Sequence, residues 1–413
     1  MSRVALASAS LVALFATACS QPSRVVHTPP PAGRSAPSAD PCADGRGKPC
    51  LEQSLPTPAP EAFPPVAALS SVAFSDRVHG WAAGYDCGQT CILEFAATDD
   101  GGSTWGMVTA VGTTGAYVNN TAPPQVDVRF VGRDGWIFGP GIFTTHDGGT
   151  TWRQTSSDQI LALEPAAATV WAIACDYSDP CTPHLLVSAQ AGDDWRPAAA
   201  QPPLAPHWSN SSVYAQAVLE RSAGGTAFLA EHALADQQQL FRSRDQGGTW
   251  TSLTPPCSSI HSIRSADSVH VWVLCSEPCC TGNYIKGVFT SNDGGVSWTE
   301  RAFSGSTTAG SIDFYGPAGS LTITSAGTGL YGGDGDAGVW RSVDGGTTWK
   351  PVLTGYCFGG GYDVSELWFA NADDGWAVST SSYSDPECPS LFRTVDGGTT
   401  WTTLAAPLGP TRG

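Results

Sequence analysis

Lysine is nearly missing from this chain. Of 413 residues only Lys48, Lys286 and Lys350 are lysines. Charge of either sign is sparse, at 14% of residues, and 20 Lys and Arg face 37 Asp and Glu. A formal net charge of −17 excludes a nucleic-acid partner and direct adsorption on an anionic membrane, because both need a basic surface. The acidity itself is read as a solubilising surface. Helical periodicity is also missing beyond an apolar N-terminal stretch, which excludes helical bundles and helical repeats. What remains, with 41% hydrophobic residues, is ample material for a large β core.

Seven copies of one short box organise that material: TDDGGSTW (98–105), THDGGTTW (145–152), SAQAGDDW (188–195), SRDQGGTW (243–250), SNDGGVSW (291–298), SVDGGTTW (342–349) and TVDGGTTW (394–401). The third is degenerate. The closing tryptophans are spaced by 47, 43, 55, 48, 51 and 52 residues, a period that marks one supersecondary unit per repeat. Around each box lie an apolar run, a polar bend, often Gly-Trp, a variable loop and another apolar run. That reads as four short strands per repeat. Asp-Gly-Gly between strands is a tight-turn signal: glycine accepts positive φ and the carboxylate bonds N–H groups of its own turn. The Ser or Thr adds a local hydrogen bond, and the Trp supplies a large ring for packing. The box is therefore read as structure, not as a ligand site. Four-stranded units around a ring make a β-propeller. The expectation is all-β, seven blades of four antiparallel strands, with the box in the turn before the fourth strand. The blades are expected at 63–109, 121–156, 158–199, 210–254, 258–302, 308–353 and 360–406. Closure is expected from packing of blade one on blade seven.

The S/T-x-D-x-G-x-T-W pattern resembles the Asp-box (BNR) repeat superfamily over residues 63–406. That superfamily includes sialidases, sortilin-type receptors, some glucanases and photosystem II assembly-factor-like proteins. The style of these blades is most similar to assembly-factor-like and bacterial Asp-box proteins. The resemblance implies the scaffold and leaves the activity open.

The chain opens MSRVALASASLVALFATACS. One arginine, a short apolar run and small residues before Cys19 read as an export signal, not a membrane span. The end resembles a bacterial lipobox, with Ala16 where leucine is commoner. The expected organisation is a signal peptide over 1–18, a lipid-anchored Pro/Ala/Ser-rich linker over 19–62 and the propeller over 63–409. The linker cannot bury enough apolar surface to fold alone. The protein is expected outside the cytoplasm, lipid-anchored through Cys19, with plain secretion as the alternative.

Removing Cys19 from 13 cysteines leaves an even number, which fits disulfides in an exported chain. Cys42/Cys50, Cys87/Cys91 and Cys175/Cys181 lie close in sequence. Cys357 and Cys388 are expected to pair. In blade five, Cys257 is expected to bond Cys279 or Cys280, with Cys275 taking the other. Zinc, with His261 and His270 nearby, is the competing reading. GGDGDAG (332–338) has calcium-like spacing at Asp334 and Asp336 but Gly345 at the twelfth position. No metal and no cofactor is expected.

An enzyme on this scaffold would be a sialidase-type glycoside hydrolase, with a tyrosine nucleophile and three arginines that clamp a carboxylate. No Arg-Ile-Pro motif occurs. Arg129, Arg221 and Arg264 are the arginines that would have to converge, and Tyr284, Tyr331 or Tyr362 would be the nucleophile. First strands line a propeller's channel, so Asp127, Arg129, His261, Arg264, Asp313 and Glu366 are the candidate channel residues. Mutual pairing of these groups is weighed ahead of a ligand site. The reading favoured overall is a binding or assembly scaffold without catalytic residues. Its partner is a protein or a cell-wall glycan, held by loops 85–91, 112–124, 176–184, 200–212, 276–286 and 356–363. Trp208, Tyr214, Tyr284, Phe358 and Tyr362 are candidate contact aromatics.

Overall fold

The computed structural model describes residues 66–405, 407 and 408, except 88–89, 107–108, 117–125, 177–180, 207–216, 223, 234–236, 279–283, 305–309, 313–318, 334–336, 356–363 and 380–387. The chain divides into two compact units, Met1–Pro64 and Pro65–Gly413. The first lies outside the described residues, and with it the expected signal, the tether, Cys19, Cys42 and Cys50.

Every described element is a strand, and all ladder pairings are antiparallel. Blade one is β1 (Val66–Phe74), β2 (Gly80–Cys87), β3 (Thr90–Thr98) and β4 (Thr109–Ala116). Next come β5 (Asp127–Val131), β6 (Asp134–Thr145), β7 (Arg153–Ala166), β8 (Thr169–Cys175), β9 (His184–Ala189) and β10 (Arg196–Pro197). Blade four is β11 (Ala217–Arg221), β12 (Ala227–Ala233), β13 (Gln237–Ser243) and β14 (Thr251–Ser252). Blade five is β15 (Ile260–Ser265), β16 (Val271–Pro278), β17 (Tyr284–Ser291) and β18 (Thr299–Phe303). Blade six is β19 (Leu321–Ser325), β20 (Thr328–Gly332), β21 (Val339–Ser342) and β22 (Lys350–Leu353). Blade seven is β23 (Val364–Phe369), β24 (Gly375–Ser379), β25 (Leu391–Thr394) and β26 (Thr402–Leu404).

Blades two and three run together as one six-stranded sheet, β10-β9-β8-β7-β6-β5. The first half of β6 pairs with β5 and the second half with β7, with Gly139 and Gly141 between them at φ 145° and 118°. Those halves hold the places of the second and third strands of other blades. β7 is the fourth strand of blade two up to Gln159 and the innermost strand of blade three beyond it. The expected break near 157 is therefore absent. The innermost strands touch in the order β1, β5, β7, β11, β15, β19, β23 and back to β1. Seven inner strands thus close a ring, and the fold is a seven-bladed β-propeller.

The boxes fold alike. In the first, Thr98 Oγ1 donates to Asp100 Oδ1 at 2.9 Å and accepts from Gly102 N at 3.0 Å, while Asp100 accepts from Thr104 N at 2.8 Å and Thr104 Oγ1 at 2.6 Å. Gly102 has φ 90°, which an L side chain adopts only with strain. The same pattern recurs at Asp147, Asp245, Asp293, Asp344 and Asp396. These bonds stabilise the ionised carboxylate, so the Thr104 contacts hold Asp100 down at about 2. In the degenerate third box Gln190 replaces the aspartate, and its carboxamide donates to Asp134 Oδ2 at 2.8 Å. Each box tryptophan joins a different one of seven apolar clusters between neighbouring blades. The box is thus a turn that plants a ring in the blade interface.

The ring closes by packing, as expected. Blades one and seven are separate sheets. Phe74 stacks on Trp376 with centroids 3.6 Å apart and planes 3° from parallel. Trp376 Nε1 donates to Gly101 O at 3.0 Å, and Trp368 Nε1 to Phe74 O at 2.9 Å.

Three further expectations change. Cys257 bonds Cys275, not Cys279 or Cys280. The reason is register: Ile260 of β15 lies opposite Cys275 of β16, so the chain entering β15 passes Cys275 with Cα atoms 6.4 Å apart. This bond also removes both thiols from the zinc reading. Blade six takes its innermost strand from Leu321–Ser325, not from the segment that holds Asp313. Two expected loops are largely hairpin: Cys87 lies opposite Cys91, and Ser276–Pro278 pairs with Tyr284–Lys286. Cys175 and Cys181 are bonded as expected, and Cys91 and Cys388 are each in a disulfide. Cys279, Cys280, Cys357 and the Cys87 side chain lie outside the described residues.

Candidate binding channel

Alternation along the inner strands builds the site. In β5, Val128 and Phe130 are buried between blades, so Asp127 and Arg129 turn together to the propeller axis. The same period puts Val218 and Glu220 of β11 on the axis, flanking the buried Leu219. A cavity of about 710 Å³ lies there, lined by inner-strand residues of several blades. Asp127, Arg129, His261, Arg264 and Glu366 all line it. Asp313 lies outside the described residues. Glu164, Glu220 and Trp368 also line it, and reading the sequence had not singled them out.

The polar groups are largely paired with one another across blades. Arg129 reaches Glu164 Oε1 and Glu366 Oε1, each at 3.4 Å. Its guanidinium also lies 5.3 Å from the Trp368 ring and 5.6 Å from that of Phe138. Glu366 accepts from Val72 N at 2.8 Å and Ser71 Oγ at 3.1 Å, and Ser71 Oγ accepts from Val128 N at 3.1 Å. Blades seven, one and two are stitched by that chain. Glu220 repeats the device between blades four and five: it accepts from Ser265 N and Ser265 Oγ, each at 2.9 Å, and meets Arg264 at 3.7 Å.

Burial opposes charge here, and the acids feel it most. Desolvation pushes Glu366 up to about 7 against the pull of Arg129, with Asp127 adding repulsion. Asp127 is raised for the same reason, with Glu164 as its like-charged neighbour. Burial lowers His261 to about 4, so its imidazole is neutral at physiological pH. Arg221 does not line the cavity. It donates to Glu164 O at 2.9 Å and Thr169 O at 3.0 Å and lies 3.9 Å from the Trp171 ring. The three arginines considered for a carboxylate clamp thus do not converge. Tyr331 is fully buried in a core cluster, and Tyr284 is half-buried at the start of β17. Tyr362, Trp208, Tyr214 and Phe358 lie outside the described residues.

Residues 62–200, which span blades one to three, match the family model described as photosynthesis system II assembly factor YCF48. That match covers about a third of the chain; the architecture is set by the six intact boxes and the closed ring of blades. The chain is an Asp-box β-propeller. No curated protein is detectably similar to it in sequence. Among solved structures, the propeller is similar to YCF48 bound to D1 peptide, at 18% identity and a TM-score of 0.52 over 81% of this chain and 95% of that one. It is similar to YCF48 from Cyanidioschyzon merolae at 15% identity, TM-score 0.53, over 80% and 97%. A polysaccharide lyase, the PL25 ulvan lyase, matches at 10% identity, TM-score 0.53, over 83% and 97%. At these identities the likeness is one of fold.

Proposed function

We propose that this Asp-box propeller is a protein-binding scaffold, exported and held at a membrane by a lipid on Cys19. One observation carries the reading. The channel arginines are engaged by glutamates and Arg221 by backbone carbonyls, so the carboxylate clamp of a sialidase is absent among the described residues. The assembly-factor family match over blades one to three supports binding over catalysis, as does a fold relative solved with a bound peptide. Localisation rests on the Arg3-to-Cys19 pattern alone. Cell-wall glycan is the alternative partner class.

The test is a crosslinking pull-down from native membranes with the full-length chain. A specific protein that co-purifies, and is lost when 276–286 is replaced, supports the scaffold. Recovery of no specific protein overturns it. Cys19→Ser should move the chain from the membrane to the soluble exported fraction. Retention at the membrane refutes the lipid anchor.

A second reading, a glycoside hydrolase of sialidase type, has one feature in its favour. Glu366 is held near 7 inside an open cavity, which suits a proton donor at neutral pH. Turnover of a sialoside that Glu366→Gln abolishes would establish it.

A further inference from the structure

We propose that the axial channel binds an organic cation, an ammonium or guanidinium group on an extended chain, with Asp127 as its counter-ion. This inference does not rest on the scaffold reading. The cavity is lined by four carboxylates, Asp127, Glu164, Glu220 and Glu366, against two guanidiniums, Arg129 and Arg264. The pairing is uneven. Glu164 and Glu366 meet Arg129, Glu366 is also held by Ser71 and Val72, and Glu220 has Arg264 and Ser265. His261 is neutral and engages the backbone of Gly319. Asp127 feels Arg129 only through space. Among the described residues its carboxylate makes no hydrogen bond and no ion pair.

A half-buried carboxylate that makes no hydrogen bond, beside a like-charged neighbour, carries a cost. Two things can relieve it, a proton or a cation. Burial pushes both Asp127 and Glu366 toward the protonated form. The arginines are engaged, so an anion finds no free partner. A metal ion is disfavoured too, because no three acidic, His or Cys side chains converge to hold one among the described residues. A cavity of about 710 Å³ lies within the size range of sites for small organic ligands. The Trp368 and Phe138 rings on its wall already face the Arg129 guanidinium, so the carboxylates supply the attraction for a cation.

Two sources carry this chemistry, a free amine and a Lys or Arg side chain of a protein. Titration calorimetry on the full chain separates them, with agmatine and N-acetyl-Gly-Arg-Gly-amide as probes. Saturable binding of at least one is expected at pH 7.5. It should weaken on going to pH 5.5, as carboxylates take up protons. Asp127→Asn should weaken it about tenfold or more, and the surface control Asp194→Asn should leave it unchanged. Circular dichroism and thermal melting check that Asp127→Asn is folded. Tighter binding of the peptide assigns the site to a partner side chain, and tighter or equal binding of agmatine to a free amine. Absence of binding by both probes, or equal binding by Asp127→Asn, overturns the proposal.

Discussion

Replacing Trp376 by alanine should open the ring at its seam. The side chain is fully buried. It stacks on Phe74 across the junction of blades seven and one and donates to Gly101 O, a partner 275 residues away in sequence. Truncating a buried tryptophan costs about 3–5 kcal/mol through lost burial and the cavity left behind. The carbonyl that loses its donor adds about 1 kcal/mol. Both terms fall on the one interface that joins the first blade to the last. The loss should therefore lie near 4–6 kcal/mol, and the blade-one hairpins should become the first protease sites. Urea unfolding followed by far-UV circular dichroism reads the first, and limited proteolysis with mass spectrometry the second. The cycle with Phe74→Ala should give a coupling of about 1 kcal/mol or more, because the rings touch. A Trp376→Ala loss below about 1 kcal/mol, or zero coupling to Phe74, would refute closure by this contact.

Stability should fall on the acid side. Asp100 and Asp147 sit at about 2 in the fold, so their contribution is present above the ordinary carboxylate value and disappears as pH falls toward 2. Glu366 is raised to about 7, and His146, between Asp134 and Asp193, is also raised. Their contributions are full below the unfolded values and fade as pH rises through the folded ones. His261, lowered from 6.5 to about 4, works the other way: its contribution grows as pH rises from 4 toward 6.5 and offsets the loss from Glu366. Melting temperature should therefore climb from pH 2 to about 4 and change little from there to pH 8, and a flat profile between pH 2 and 4 would contradict this. Asp344→Ala should cost about 1 kcal/mol in urea, since it removes the acceptor of Thr348 N and Thr348 Oγ1, whereas a neutral result would deny the box its turn-forming role. Non-reducing peptide mapping should recover a Cys257–Cys275 crosslinked peptide, and a Cys257 bond to Cys279 or Cys280 instead would show the register argument to be wrong.

The blade count and the role of the box were legible because both are local. Asp, Gly-Gly and Trp lie within eight residues, and every hydrogen bond of the turn spans four or fewer. The alternation of Asp127 with Arg129 was equally local, and it pointed to the axis. Glu220 carried the same signal in AVLER (217–221), flanking the buried Leu219, and was overlooked. Glu164 was hidden for another reason. The repeat pattern implied a break near 157, whereas β7 runs unbroken and delivers Glu164 to the axis on its second half.

What no local pattern can carry is the pairing. Arg129 meets Glu366 across 237 residues and Glu164 across 35, so the partners are set by which blades adjoin, not by sequence neighbourhood. That distinction decides how the channel should be read. Had all its acids been matched, the polar axis would be accounted for as the stitching of seven blades. Glu366 and Glu220 do serve that purpose, each bonding a serine and a backbone N–H on the next inner strand. Asp127 stands on the same ring of strands and makes no such stitch. A half-buried carboxylate that contributes no hydrogen bond to closure, where desolvation penalises its charge, is a cost to the fold that the proposed cation would offset.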